Sequence, residues 1–327
     1  MVAEYSSYIF NHHDGWATLP DFLLEEIFSR LPPKYLARCA QVCSNWYRLV
    51  NSDYAWHEFH FQDFMFTRRR FTLHAGWQMY IDHPRIRMLI VRATPKWRKL
   101  VIEPITILFN LYEFFRLLAN APKVCDGIYE NDRPLNKIRS FSFEWRLHVH
   151  EGDREQEMVQ IGTGGEMLRS LLFLLSQLDG LVDLALRELQ LEVWEGGVFL
   201  DEVLYKFGSQ LSSLCIINFT ATAQSFLQVS LFLELRRLVL SAQHLNEDVV
   251  TLIGDLKLLQ SFIIYQVGRK QFLLQNDKTT GAKPVSMKTW LLFKQNNKHT
   301  KIYLQQSGNY ILICNKQFSF VLSQSVW

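Results

Sequence analysis

A small all-helical unit followed by an irregular α/β solenoid is the architecture that this 327-residue sequence predicts. Three observations carry it. Apolar side chains recur at helical spacing in residues 16–62, short Leu-x-x-Leu-x-Leu segments recur at regular intervals after residue 180, and amphipathic stripes stand between those segments. Hydrophobic residues make up 48% of the chain, which excludes global disorder and supports a large continuous core.

Residues 1–15 read as a disordered tail, with Glu4 and Asp14 but neither a basic start nor an apolar segment, so no secretory signal is expected. The chain has no uninterrupted run of about 18 apolar residues to span a bilayer. The five cysteines, Cys39, Cys43, Cys125, Cys215 and Cys314, are scattered and form no Cys-x-x-Cys pair, so they read as reduced thiols. The expected compartment is therefore cytoplasmic, nuclear or both.

The helical unit comes first. Leu24, Ile27, Phe28 and Leu31 lie at i, i+3, i+4 and i+7 and stripe one helix, which Pro32-Pro33 ends. Pro33 suits the first position of a second helix, along which Leu36, Cys39, Ala40 and Cys43 repeat the stripe. Trp46, Leu49 and Val50 mark a third. A unit of fewer than about 60 residues buries too little surface to be more than marginal alone, so its apolar residues call for a partner.

Leu19-Pro20, Leu24, Ile27-Phe28-Ser29, Leu31-Pro32, Leu36, Val42-Cys43, Trp46, Leu49 and Trp56 together resemble an F-box, the module that joins a substrate receptor to Skp–Cullin–F-box ubiquitin ligases. Phe22 and Tyr35 depart from the pattern, standing where most family members carry an acidic residue. The resemblance implies that the Skp adaptor binds Trp16, Leu19, Pro20, Leu24, Ile27, Leu31, Leu36, Cys43 and Trp46. It also implies indirect partnership with Cullin and a RING subunit.

From residue 63 to 327 the sequence reads as a leucine-rich-repeat-like domain, the alternative being an irregular α/β domain without true repeats, and the F-box resemblance implies that this part binds the substrate. Leu184, Leu214, Leu238 and Phe262 centre four apolar segments and are 30, 24 and 24 residues apart. That spacing falls in or near the period of roughly 20–29 for such repeats. Earlier irregular copies begin at Trp97 and Ile138. Helix candidates run from Leu108 to Leu118, Met167 to Leu178, Phe199 to Phe207, Phe226 to Leu233 and Val249 to Leu256.

Strand positions that alternate with the core leucines face the other side of such a sheet. These are Asp183, Arg187, Ser213, Cys215, Arg237, Val239, Ser261, Ile263 and Tyr265, among which Asp183, Arg187, Arg237, Ile263 and Tyr265 are the substrate-binding candidates. The Asn or Cys that usually bonds the turn after each strand is replaced by Leu189, Phe219, Gln243 and Val267. Residues 148–165 read as a glycine-rich, acidic loop insertion and Asn276 to Pro284 as a second loop. Tyr303-Leu304, Tyr310 to Ile313 and Phe318 to Leu322 read as short capping strands.

The chemistry of catalysis is missing from this pattern. Cys39, Cys43, His57 and His60 superficially match a zinc set, but both cysteines fall on an apolar helical stripe, and no metal or cofactor is expected. Gly162-Thr-Gly-Gly165 lacks the Lys-Ser/Thr pair of a phosphate loop, and there is no Gly-x-Ser-x-Gly elbow. A non-catalytic subunit follows, with no catalytic residue assigned.

Net charge is only +3, yet nine basic residues and one acidic residue occupy Arg68 to Lys99, and eight basic residues with one acidic residue occupy Arg269 to Lys301. Solvated cationic faces are the favoured reading of both stretches over nucleic-acid binding. The function expected is therefore substrate recognition for ubiquitination and proteasomal degradation. The alternative is an adaptor-bound scaffold that sequesters a partner without degrading it.

Overall fold

The computed structural model describes residues 16, 19–74, 76–124, 134–145, 165–266, 285–306 and 309–312. The expectations for the 1–15 tail, for residues 148–164 and 276–284, for Phe318 to Leu322, and for Val267, Cys125 and Cys314 lie outside them. The chain divides into two compact units, Met1–Phe59 and His60–Trp327.

The first unit holds three short helices, α1 (Asp21–Ser29), α2 (Pro33–Cys39) and α3 (Ser44–Val50). Pro20 and Pro32 sit at the N-caps of α1 and α2, where a missing N–H costs nothing, and the Cys43 sulfur accepts the Trp46 N–H, 3.5 Å away, at the start of α3. Leu24, Phe28, Leu36, Leu49, Val50 and Ala55 form the core. Leu19, Leu31, Cys39, Ala40, Trp46 and Trp56 are half-buried against it.

The second unit is mixed α/β. Its nine strands lie in one sheet in strict chain order, apart from an inserted hairpin: β1 (Glu58–Phe61), β4 (Lys99–Ile102), β5 (Ser140–Glu144), β6 (Asp183–Arg187), β7 (Ser213–Ile217), β8 (Arg237–Ser241), β9 (Ser261–Gln266), β10 (Lys301–Gln306) and β11 (Asn309–Leu312). From β4 to β10 every neighbouring pair is parallel, and β11 turns back antiparallel on β10. The hairpin is a separate two-stranded sheet of β2 (Thr67–Thr72) and β3 (Gly76–Ile81).

Helices fill the connections: α4 (His83–Ala93), α5 (Leu108–Ala119), α6 (Ala121–Val124), α7 (Glu166–Leu175), α8 (Val193–Phe207), α9 (Glu247–Ile253) and α10 (Met287–Asn296). The expected strands at Leu100, Phe141, Leu184, Leu214, Leu238 and Phe262 all form, and each of these side chains is fully buried. Burying each such side chain is worth roughly 1.5–3 kcal/mol.

Phe226 to Leu233 departs from expectation, because a 3-10 turn over Leu227–Leu231 stands where an α-helix was predicted. The equally long interval from Leu238 to Phe262 does hold an α-helix, α9, so interval length does not account for the difference. Gly196 brings α8 close to the following turn: a Cβ there would stand 2.7 Å from Thr220 Cγ2.

One hydrogen-bond motif recurs along the sheet. The carbonyls of Arg98, Arg139, Val182, Ser212 and Arg236 each accept two consecutive N–H groups from the start of the next strand, at 2.7–3.1 Å. Gln260 accepts that of Lys301 at 2.8 Å. This staple ties each strand to the next at one corner and satisfies backbone donors that would otherwise be orphaned.

The turns after the strands are held differently. Leu189 and Phe219 are buried in the core, and Gln243 donates its side-chain amide to the Thr220 carbonyl at 3.0 Å. Beside them Asn218 adopts φ 46°, donates to the Glu188 carboxylate at 2.8 Å and accepts from Ser241 Oγ at 3.2 Å. Asn218 N–H in turn donates to Ser241 Oγ at 2.7 Å. These polar side chains tie the turns after β6, β7 and β8 to one another.

Candidate functional site

The helical unit leaves a large apolar surface outside a small core. Trp16 is 66% exposed, Phe22 68%, Val42 62%, Tyr35 49% and Ile27 38%. Leu23 and Ile27 lie at i and i+4 and so form one exposed ridge of α1, while Leu24 and Phe28 one position on point inward. Pro20 and Cys43 are also exposed.

The nine residues assigned to the adaptor therefore fall into three groups. Trp16, Pro20, Ile27 and Cys43 are open to solvent, and Leu19, Leu31 and Trp46 are half-buried. Leu24 and Leu36 are 1% and 2% exposed and belong to the unit's own core, so they correct the expectation of nine surface contacts. The helical stripe counts apolar positions without separating those that face inward from those on its flank. Phe22, Leu23, Tyr35 and Val42 are among the exposed apolar residues that the stripe missed, because they sit beside it.

Polar contacts fix the ridge in place. Arg48 of α3 donates to the Asp21 carboxylate of α1, joined by Asn45 Nδ2 at 3.3 Å, and the Arg48 hydrogen bond leads in holding the Asp21 carboxyl below its ordinary range. The Tyr54 hydroxyl donates to Glu26 at 2.5 Å and Arg30 Nε donates at 3.0 Å, and Tyr54 leads in lowering the Glu26 carboxyl. Trp56 Nε1 donates to the Val50 carbonyl at 2.8 Å. Trp46 meets Phe28 edge-on at 5.3 Å, and among the described residues its indole N–H is buried without an acceptor.

The residues weighed for zinc are engaged elsewhere. Cys39 is half-buried with its thiol pKa pushed up by burial, His57 Nδ1 lies 2.5 Å from the Tyr54 carbonyl, and His60 Nδ1 lies 3.0 Å from Glu103 Oε1. Among the described residues no three His, Cys, Asp or Glu side chains gather as a metal site. Nor is any described helix long and apolar enough to cross a membrane.

On the sheet face opposite the core leucines, Arg187 and Arg237 are exposed, while Asp183 and Tyr265 are half-buried. Asp183 accepts from Ser140 Oγ at 2.7 Å. Ile263 is 5% exposed and forms a second apolar cluster with Cys215, Ile217 and Val239, flanked by Ala185, Tyr265 and Tyr303. The expectation that this whole face lies open is thereby corrected: its middle is a packed apolar seam, and Ile263 is not a surface residue. Val239 stands between Cys215 and Ile263 on the neighbouring strands, so the three side chains cover one another.

Comparison with known proteins adds two findings. Residues 16–62 match the F-box-like family model, so the chain carries an F-box-like domain. A putative F-box/kelch-repeat protein of Arabidopsis thaliana is 28% identical over 119 residues, which cover 34% of this chain. The match spans 26% of that relative's length, about a quarter.

Proposed function

We propose that this F-box protein is a substrate-recognition subunit of a Skp–Cullin–F-box ubiquitin ligase. F-box proteins are generally non-catalytic adaptors. On this reading the F-box unit docks on the Skp adaptor, Cullin and a RING subunit bring the charged conjugating enzyme, and the α/β unit presents the target for ubiquitination and degradation in the cytoplasm or nucleus. The gain in rate is proximity, since tethered target lysines meet the thioester at high effective concentration.

The observation that carries the reading is the mismatch in the F-box unit between its core of Leu24, Phe28, Leu36, Leu49, Val50 and Ala55 and the exposed apolar side chains around it. Trp16, Pro20, Ile27 and Cys43 are the outer contacts, Leu19, Leu31 and Trp46 form the floor, and Leu24 and Leu36 brace that floor from inside. Phe22, Tyr35 and Val42 extend the contact. Each large side chain contributes roughly 1.5–3 kcal/mol on full burial, and several together offset the entropy of association.

We read the second unit as a leucine-rich-repeat-like solenoid. Parallel strands in chain order and the staple repeated at their starts support this. Arg187, Arg237, Asp183 and Tyr265 around the apolar seam are the substrate contacts on that face.

The test is purification of the full chain with and without the Ile27→Ala/Val42→Ala pair from cells that express the Skp adaptor. The unchanged chain recovers adaptor and Cullin, and the double variant recovers much less of both. Equal recovery overturns the interface. Proteasome inhibition then separates a degradative receptor, whose bound partner accumulates in ubiquitinated form, from a scaffold.

A further inference from the structure

The β2–β3 hairpin places a basic row and an aromatic pair on opposite faces of a narrow two-stranded ribbon. Its strands pair over six positions, from Thr67 opposite Ile81 to Thr72 opposite Gly76. Directly opposed residues share a face, so Arg68 and Arg70 lie on one side with Tyr80 and Gln78, and Arg69, Phe71 and Trp77 lie on the other. Phe71 and Trp77 meet edge-on at 5.5 Å, and Arg69 stands over the Trp77 ring at 5.6 Å.

Phe71 is 58% exposed and Trp77 63%. An exposed aromatic pair beside arginine has the composition of a binding hot spot. No acidic residue occurs from Phe64 to Ile81, so the basic row is not neutralised along the ribbon itself.

The base of the ribbon is fixed while its far end is bare. Asn110 of α5 donates its side-chain amide to the Met79 carbonyl at 3.0 Å and accepts the Ile81 N–H at 3.1 Å, and Tyr80 meets Phe109 edge-on at 5.9 Å. Among the described residues β2 and β3 pair with no other strand. Asn110 occupies the outer side of β3 at Met79 and Ile81, so the edge that can take a further strand is that of β2.

We propose that this hairpin is a docking arm for an extended segment of the target in which acidic and apolar residues alternate. A third strand added at the edge of β2 carries its side chains to alternate faces. Its acidic residues then meet Arg68 and Arg70, and its apolar residues meet Phe71 and Trp77. Charge complementarity selects this occupant. A nucleic acid would use the arginines and rings but leave the strand edge unused, and the chain's net charge of +3 provides little further attraction for it. The occupant's identity as a ubiquitination target rests on the receptor reading, whereas the binding itself does not.

Anisotropy of a short fluorescein-labelled peptide of alternating Glu and Leu, titrated with the full chain bound to the Skp adaptor, tests the arm. Binding is expected to exceed that of a peptide of the same composition with Glu and Leu segregated, and that of a Gln–Leu alternation. Trp77→Ala should weaken it by about tenfold. Arg68→Glu/Arg70→Glu should abolish it and instead favour an alternating Lys–Leu peptide. That gain keeps the test decisive against mere misfolding.

Equal binding of alternating and segregated peptides, or no charge swap, overturns the proposal. Tighter binding of oligo-deoxythymidine, with a steep salt dependence lost in the arginine variants, also overturns it in favour of a nucleic acid. Adaptor recovery by the same variants stays unchanged if the arm is independent of the F-box. Loss of adaptor binding by the intact chain would instead remove the receptor reading and leave the peptide result standing.

Discussion

The two units of this protein solve the problem of burial in opposite ways. In the α/β unit each added strand places its leucines, isoleucines and phenylalanines against the previous one, and Leu184, Leu186, Leu214, Ile216 and Leu238 reach zero exposure. In the F-box unit the same kind of apolar side chain is divided between a small core and an open flank. Strands stacked in an array cover one another's apolar faces, while three short helices enclose only a small core, so apolar residues left over beside that core call for a partner.

The largest expected effect probes the closed unit. Phe219→Ala removes a fully buried ring that meets Phe199 and Phe226 edge-on at 5.6 Å each, and should cost about 3–5 kcal/mol in denaturant unfolding. A cost below 1 kcal/mol would mean that the array is loosely packed and that the contrast between the units is overstated.

Acid should expose the same closure. His244 is buried beside Phe226 with Nδ1 2.9 Å from the Gln224 carbonyl, and burial pushes its pKa down from its ordinary 6.5 to about 4. Between these values the unfolded chain binds a proton that the folded chain refuses, so stability is full above pH 6.5 and falls as pH drops toward 4. The total loss is about 3 kcal/mol. His244→Gln, though less stable at neutral pH, should lose that part of the pH slope in chemical denaturation.

The open unit should separate binding from stability. Ile27→Ala is expected to weaken adaptor binding by about 1–2 kcal/mol while changing the unfolding free energy by less than about 1 kcal/mol. Leu24→Ala, three residues earlier on the same helix, should instead destabilise the unit by about 2–5 kcal/mol. Titration calorimetry and thermal unfolding of both variants sharpen the comparison, and a reversed pattern breaks it.

The smallest effect lies at the exposed Asp21–Arg48 pair. Because hydrogen bonding from Arg48 lowers the Asp21 pKa, its contribution is present above the ordinary carboxylate range and is lost as pH falls through the depressed folded value. Asp21→Asn should cause a slight loss of thermal stability at neutral pH that high salt erases. A salt-independent loss would show packing rather than charge at that helix pair.

Much of this fold is legible in the sequence, since a period-two leucine pattern repeated down the chain specifies both the strands and the face they bury. The strands at Leu100 and Phe141 were visible in this way despite their long intervening segments. Helix α4 was hidden because Arg85, Arg87 and Arg92 draw attention to charge, although Ile86, Leu89, Ile90 and Ala93 are its buried stripe. The hairpin was hidden for the same reason, its arginines outweighing the strand-forming residues on both sides of Gly76.

The candidate site was half legible. Spacing identified the helices that present it, but a stripe that is wider than the core it serves does not say where the core stops. Leu24 and Ile27 are alike in the sequence and differ only in which way α1 is turned against α3, a choice made by packing. Likewise, alternation placed Ile263 on the right face of β9, but not that neighbouring β-branched side chains would close over it.

The hydrogen-bonded staple at successive strand starts has an evolutionary corollary. Because registration is set at a single corner, the length of the return path is nearly free: the carbonyls of Arg98, Arg139, Val182, Ser212, Arg236 and Gln260 keep the sheet in step although the chain between successive ones varies widely. Such a scaffold can lengthen or shorten its outer loops without re-threading its interior, so new recognition elements can be spliced in at the rim while the stack beneath keeps its pitch.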